Sequence, residues 1–412
     1  MKQGAQGPLE GLKVIELSHV MAGPTCGLML ADMGADVIKL EDTGRGDTTR
    51  GMVPPEIGGQ STAFMMMNRS KRGISVNLKS DGGKDLLRRM LKDADVLIEN
   101  FRPGVMKRLG FDYADLRAGN PGLIYANISG YGRTGPYAER GGFDLVAQGV
   151  SGIMSITGEG PGRPPVKVGA PVADITAGIL LAMGICAAYA HRLKTGQGQE
   201  VDTSLFEAGI THTYWQSAIC FATGEPPLAQ GSAHPLSAPY QAVRTADGYI
   251  NVSGANQKNW LLMLEAMGAS HLAGDPRFSE NSDRMQNLPA LIEELEGYFV
   301  QKPSAEWLDI MESVGVPAGP ILNVKEMHEH PQTAAREMVV PLQHPVAGDT
   351  RVIGLPVKFA DTPGKVQHAA PVFGQHTREV MREYGFSETE IDAMASNGDV
   401  VLGDLPEREA AE

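Results

Sequence analysis

Apolar positions in the first third of the chain fall into short runs separated by stretches of helical spacing. Lys13-Val-Ile-Glu-Leu17 has the character of a buried strand and leads into a loop, Ser18–Gly23. Pro24 suits the first turn of a helix, where its missing N–H costs nothing, and the helical pattern continues to Met33 before Gly34. A second strand, Asp36–Leu40, completes a strand–helix–strand unit, so the two strands are expected to be parallel. The pattern then recurs as strand Gly73–Leu78, amphipathic helix Asp81–Lys92, strand Asp95–Phe101 and strand Ile124–Ser129. Such alternation predicts an α/β fold with a Rossmann-like open parallel sheet, its ligands beyond the carboxyl ends of the strands. The first turn, Ala22-Gly-Pro-Thr-Cys-Gly27, lacks the G-x-G-x-x-G fingerprint, so a nicotinamide dinucleotide is not predicted.

Farther along, Ile175–Ala190 is an apolar stretch of 16 residues. It falls short of the roughly 20 needed to span a bilayer and predicts a buried core helix. A helix at Ser204–Thr223 closes a large domain, 1–223. Tyr240–Thr245 and Tyr249–Ser253 flank the turn Ala246-Asp-Gly248 and predict a hairpin. Helices at Gln257–Met267, Leu288–Val300 and Ala305–Val314, the last capped by Ser304, complete a smaller α+β domain, 224–330. Gly315–Pro320 breaks the pattern. Strands near Met338–Leu342 and Val352–Leu355 and a helix from Thr377 then form a C-terminal segment, 331–412, expected to return to the large domain.

Composition narrows the partners. The net charge of −13 and the 6% aromatic content argue against nucleic acid or an anionic membrane as a ligand. The charge is uneven, however: from Lys39 to Arg108 there are 14 Lys and Arg against 9 Asp and Glu, a balance of +5. A small polyanionic ligand or a set of solvated helix faces accounts for this equally well. Three cysteines, Cys26, Cys186 and Cys220, without a CxxC pair or zinc spacing, predict a reducing cytoplasmic setting and no metal. The opening MKQGAQGPLEG lacks an apolar core, so no secretory signal is expected.

Candidate chemistry centres on Gly169-Ala-Pro-Val-Ala-Asp174, where Pro171 disfavours helix before it and an apolar helix follows. On one reading Asp174 is a helix N-cap, its carboxylate accepting the first free N–H groups. On the other it is a nucleophile, held ionised by the helix dipole, with nearby N–H groups to stabilise an oxyanion. Local spacing does not choose between them.

The chain resembles the class III (CaiB/BaiF) CoA-transferases over nearly its whole length. The resemblance is carried by Val14-Ile-Glu-Leu-Ser-His-Val-Met-Ala-Gly-Pro24, Gly34-Ala-Asp-Val-Ile-Lys39, Gly44–Asp47 and Asn68-Arg-Ser-Lys-Arg72. It continues through Glu99-Asn-Phe-Arg-Pro-Gly104, Gly130-Tyr-Gly132, Gly142-Phe-Asp144 with Gln148, and Lys194-Thr-Gly-Gln-Gly-Gln199. His234-Pro235, Ala238-Pro-Tyr-Gln241 and Gly374-Gln-His-Thr377 extend it into the second half.

That resemblance implies Asp174 as the catalytic aspartate. It implies CoA, a substrate rather than a resident cofactor, lying against His19, Val20, Ala22, Val76, Asn77, Leu78, Lys79, Asn100, Phe101 and Arg108. CoA phosphates would explain the local basic excess; alternatively Lys79 is a solvated loop charge and Arg108 a partner for Asp112. Met21, Phe143 and Asp144 are placed near the substrate, and His212, His234 and Arg244 are candidates for an acceptor carboxylate. The implied reaction passes CoA from an acyl-CoA to a free acid through aspartyl anhydride and aspartyl-CoA thioester intermediates. Racemases of the same fold carry a histidine–aspartate pair as proton-transfer groups where Phe143-Asp144 stands, and phenylalanine cannot exchange a proton, which disfavours racemisation; an idle CoA-binding protein is the other alternative. Oxalate-using relatives carry a glutamine at the position of Met21 and a run of glycines absent here, so succinyl-CoA-dependent enzymes are the better likeness. The family also implies an interlocked homodimer with active sites between domains of different subunits.

Overall fold

The computed structural model describes residues 7–403. Met1–Gln6, part of the segment read for a secretory signal, and residues 404–412 of the C-terminal segment lie outside it. By their contacts the described residues group into two units. One takes the chain up to Ser151, Gly169–His212 and the part from Pro331 onward; the other takes Gly152–Val168 and Thr213–His330. Residues 152–168 and 213–223, placed with the large domain on sequence, thus group with the smaller unit.

The large unit is built on an open seven-stranded sheet. Its strands are β1 (Lys13–Leu17), β2 (Asp36–Glu41), β3 (Arg72–Val76), β4 (Val96–Glu99), β5 (Ile124–Ser129), β6 (Glu200–Ser204) and a short C-terminal strand, Val400–Val401. The order is C-terminal strand, β3, β2, β1, β4, β5, β6; every pairing is parallel except that of Val400–Val401 with β3. This is the α/β fold and open parallel sheet that the alternating pattern predicts. Alternate side chains feed two cores. Val14, Val96 and Ile124 face Cys26, Leu30, Leu181 and Ile185, while Ile15, Leu17 and Leu97 face Leu86, Met90, Val380 and Met381. Covering both faces is what turns these strands into continuous apolar runs.

Two strands end earlier than expected: Asn77 and Leu78 lie beyond β3, and Asn100 and Phe101 beyond β4. β6, Glu200-Val-Asp-Thr-Ser, was not legible because an edge strand needs only one buried face and keeps its charges outward.

Four helices position the site: α1 (Ala22–Asp32), α2 (Asp144–Val150), α3 (Val172–Thr195) and α4 (Leu205–Thr211). α3 runs for 24 residues, longer than the apolar stretch that marks it, and by length and composition it is apolar enough to cross a membrane. Its Ala177, Leu181, Ile185 and Ala188 are nevertheless packed into the sheet core. At Gly178 an added Cβ would stand 2.5 Å from the Ala22 carbonyl oxygen, so only glycine lets α3 lie this close to α1. The helix expected over Ser204–Thr223 is two helices, α4 and Tyr214–Thr223, interrupted at His212-Thr213. β-branched Thr211 and Thr213 make this a weak point for continuous helix.

The smaller unit holds an antiparallel sheet ordered Ala318–Pro320, Tyr249–Ser253, Tyr240–Arg244, with the predicted hairpin in place. The break at Gly315–Pro320 contains its third strand. Ser304 is not the cap of the following helix but its first residue; the hairpin-turn residue Asp247 accepts from both its N–H and Oγ at 2.8 Å. The turn thereby supplies the helix with the acceptor that Ser304 was expected to provide.

Candidate active site

A cleft of about 330 Å³ opens where the loops after β1, β4 and β5 meet the first turn of α3. Strand order reverses between β1 and β4, which is where ligands bind in open parallel sheets. His19, Val20, Met21, Ala22, Asn100, Phe101, Phe143 and Asp174 all line this cleft. Residues the sequence reading left without a role line it too: Arg102, Arg140, Gly130, Gly141 and Gly142. Gly130 and Gly142 meet backbone to backbone, a Cβ on Gly142 standing 2.5 Å from the Gly130 Cα, which brings the 141–143 loop over the end of β5.

Other expected contacts lie elsewhere. Val76 is sealed in the core, so its side chain cannot reach a ligand. Asn77, Leu78 and Lys79 occupy the loop after β3, where the Asn77 side chain accepts from the Lys79 N–H at 3.0 Å. Arg108 sits on the short helix Val105–Leu109; its suggested partner Asp112 caps the next helix instead, accepting from Asp115 N–H at 3.0 Å. His212 Nε2 lies 2.8 Å from Thr176 Oγ1 on α3. His234 and Arg244 belong to the smaller unit, His234 stacked on Tyr240 with ring centroids 5.0 Å apart.

The loop after β1 is held from several sides. Asn100 accepts from the His19 N–H and donates to the His19 carbonyl, both at 2.9 Å. Val20 adopts a left-handed backbone, φ 66°, which a β-branched residue avoids unless its surroundings impose it. Its N–H donates to Asp47 Oδ1 at 3.2 Å. Lys39, fully buried, donates to the Ser18 carbonyl at 2.7 Å and pairs with Asp47 at 2.8 Å and Glu16 at 3.1 Å. Glu16 also pairs with buried Lys71 at 2.8 Å. Burial, with the Lys39 charge, lowers the His19 pKa below its ordinary value.

This cluster corrects the reading of the basic excess. Lys39 and Lys71 neutralise Glu16 and Asp47, Arg69 is bound to Asp32 at 2.8 Å, and Arg50 grips Glu41 through two bonds. A substantial part of the local positive charge is therefore consumed inside the protein rather than presented to phosphate.

Asp174 departs from both readings of its local role. α3 begins at Val172 with Pro171 as N-cap, so Asp174 is in the first turn and caps nothing. The capping acceptor is Asp144: its Oδ1 takes the N–H groups of Ala173 at 2.9 Å and Asp174 at 3.3 Å. Those N–H groups are thus committed and are not the oxyanion donors expected. Nor does the helix dipole hold Asp174 strongly acidic. Burial, followed by the neighbouring Asp144 charge, pushes its carboxyl up to about 7. Asp144, expected near the substrate, is not among the residues that line the cleft; its Oδ2 accepts from buried Gln148 at 2.7 Å.

Residues 9–377 match the model of CoA-transferase family III. The chain belongs to that family. It is an enzyme, a class III CoA-transferase, as its sequence motifs implied. An acetyl-CoA:oxalate CoA-transferase of Acetobacter aceti is 40% identical over 93% of this chain and 97% of its own length. A succinate–glutarate CoA-transferase of Agrobacterium fabrum is 38% identical over 91% of this chain and 95% of its own. Among solved structures, a CaiB/BaiF family protein from Brucella suis superposes with a TM-score of 0.82 at 39% identity, covering 93% of this chain and 100% of that one. The family chemistry, transfer of CoA from a thioester to an acid, is that of the transferase; its relatives differ in the acid they use.

Proposed function

We propose that the transferase moves CoA from an acyl-CoA, succinyl-CoA being the favoured donor, to a free dicarboxylic or hydroxy acid, with Asp174 as its nucleophile. The carrying observation is that, among the described residues, Asp174 is the one carboxylate lining the cleft formed by the loops after β1, β4 and β5. In the first step its oxygen attacks the thioester carbonyl; a C–O bond forms, the C–S bond breaks and CoA departs as thiolate, leaving a mixed anhydride. The thiolate then attacks the aspartyl carbonyl and expels the donor acid, so that CoA is esterified to Asp174. The acceptor acid reverses both steps. The thioester energy stays in a bond to the enzyme throughout.

His19, Val20, Ala22, Asn100 and Phe101 would hold the reactive end of CoA, with Asn77–Lys79 and Arg108 contacting it beyond the cleft. Guanidinium groups of Arg102 and Arg140 in the cleft suit an anionic acid. Human succinyl-CoA:glutarate CoA-transferase, 35% identical over 91% of this chain, and the succinate–glutarate enzyme of Agrobacterium support succinyl-CoA as the donor. The three free cysteines fit a reducing cytoplasmic setting.

Incubation with succinyl-CoA and glutarate should yield glutaryl-CoA, and a brief incubation with donor alone should leave a CoA adduct on the peptide containing Asp174. Exchange with the adduct on another peptide would sink the assignment. Because attack requires the ionised carboxylate, adduct formation should rise about tenfold per pH unit and level off above pH about 7. A rate already flat from pH 5 upward would count against this.

A homodimer is part of the same reading. Phe143, Leu145, Val146 and Val150 around α2, and Ile179 and Met183 on α3, are exposed apolar side chains, Phe143 at 74%. Burying them against a second copy would remove these apolar side chains from water. Light scattering should therefore give about twice the 44.0 kDa chain mass; a clean monomer would refute it.

A further inference from the structure

Asp144 makes more contact with the helix of Asp174 than any substrate role requires. Its Oδ1 accepts two N–H groups of the first turn of α3, one of them from Asp174 itself. Its Oδ2 is fixed by Gln148, which is fully buried and also donates to the Ala170 carbonyl at 3.3 Å. One carboxylate thus joins α2 to the turn that aims Asp174 into the cleft.

We propose that Asp144 is a positioning residue that caps the helix of the nucleophile and holds a second negative charge beside it, favouring the covalent intermediates. The inference rests on Asp174 being the nucleophile. Free Asp174 must ionise next to a like charge, whereas the anhydride and the CoA thioester at Asp174 are neutral, so each acylation relieves the repulsion. The same repulsion keeps Asp174 basic and hence a stronger nucleophile. Other charged or titratable groups surround the site: His19, Arg102 and Arg140 line the cleft, His212 meets Thr176 on α3, and Glu207 on α4 accepts from Ser204 Oγ at 2.6 Å. Of all the groups around the site it is Asp144 whose charge, after the effect of burial, raises the Asp174 carboxyl.

Asp144→Asn and Asp144→Ser retain an acceptor for the helix without the charge, so either folded variant serves. The rate of CoA-adduct formation on Asp174 would be followed against pH by quenched mass spectrometry, with succinyl-CoA as probe. The pH at half-maximal rate should fall by on the order of one unit relative to the wild-type enzyme, and the adduct fraction at pH 8 should drop severalfold. A merely structural cap would lower the amplitude and leave the midpoint in place, which would overturn the proposal. An unchanged midpoint with adduct on Asp174 in the wild-type enzyme overturns the role of Asp144 alone. Active wild-type enzyme with no adduct on Asp174 overturns the nucleophile reading as well.

Discussion

Replacing Asp174 with asparagine is expected to lower CoA transfer by at least about a thousandfold and yet to leave a more stable protein above neutral pH. The first effect follows from losing the only group in the cleft proposed to form the covalent bond. An amide oxygen is a far weaker nucleophile than a carboxylate, and among the described residues no second carboxylate lines the cleft to replace it. The second effect follows from linkage. Burial first, and Asp144 second, raise the Asp174 carboxyl from 3.8 to about 7, so between those values the folded state holds a proton that the unfolded state has released. Wild-type stability therefore falls as pH rises through this window, and the cost is complete above about 7. Asparagine, close in shape and without charge, escapes it. The rise from 3.8 to about 7 sets a ceiling of about 4 kcal/mol, and access of solvent to the cleft will reduce the measured gain. Urea unfolding of both proteins at pH 5 and pH 8, beside a glutaryl-CoA assay, checks both statements. An Asp174→Asn enzyme that keeps a tenth of wild-type turnover would remove the nucleophile. Equal stability of the two proteins at pH 8 would show that the carboxylate is not disfavoured where it stands.

How far the chain could be read in advance depended on whether a feature was local. β1, α1 and β2 announce themselves because period and punctuation are properties of neighbouring residues. The placement of Asp174 at the start of the apolar helix was legible for the same reason. Its protonation was not, because the dominant effects are burial and the charge of Asp144, 30 positions earlier in the chain. The local rule, a carboxylate at a helix start favoured by the dipole, holds for a different group: Asp144 fills the capping role from another helix. Nothing in the neighbourhood of Arg140 distinguishes a cleft arginine from a solvated one, whereas Arg102 stands in the family stretch Glu99–Gly104 beside Asn100 and Phe101, a signal that points to the cleft. Lys39 and Lys71 misled in the opposite direction. Counted along the chain they are surplus positive charge; in three dimensions they are interior groups matched to Glu16 and Asp47.

That matching sets up the second large effect: Lys39→Met should destabilise the fold by about 3–5 kcal/mol. The inner cluster holds two ammonium groups, Lys39 and Lys71, against two carboxylates, Glu16 and Asp47, and all four side chains are inaccessible to solvent. Burial opposes charge on every member; the partners reverse it for Glu16, Lys39 and Asp47, while burial still holds Lys71 down, to about 8. Lys39 and Lys71 together pull Glu16 below its usual range, and Asp47 is lowered chiefly by Lys39 once the opposing effect of burial is overcome. Methionine fills the volume of the lysine stem but leaves the cluster one negative charge in excess. It also frees the Ser18 carbonyl, so the loop carrying His19 and strained Val20 loses its deepest tie. The companion change Asp47→Asn restores neutrality, so the double variant should recover part of the loss, a coupling that independent effects cannot produce. Denaturant titration of the two single variants and the double variant gives the coupling energy directly. Additive losses would mean that Lys39 and Asp47 do not stabilise one another. If the recovered double variant still binds acyl-CoA weakly, the Ser18 bond is what keeps the β1 loop in shape for the substrate; if binding returns with stability, charge balance alone is sufficient.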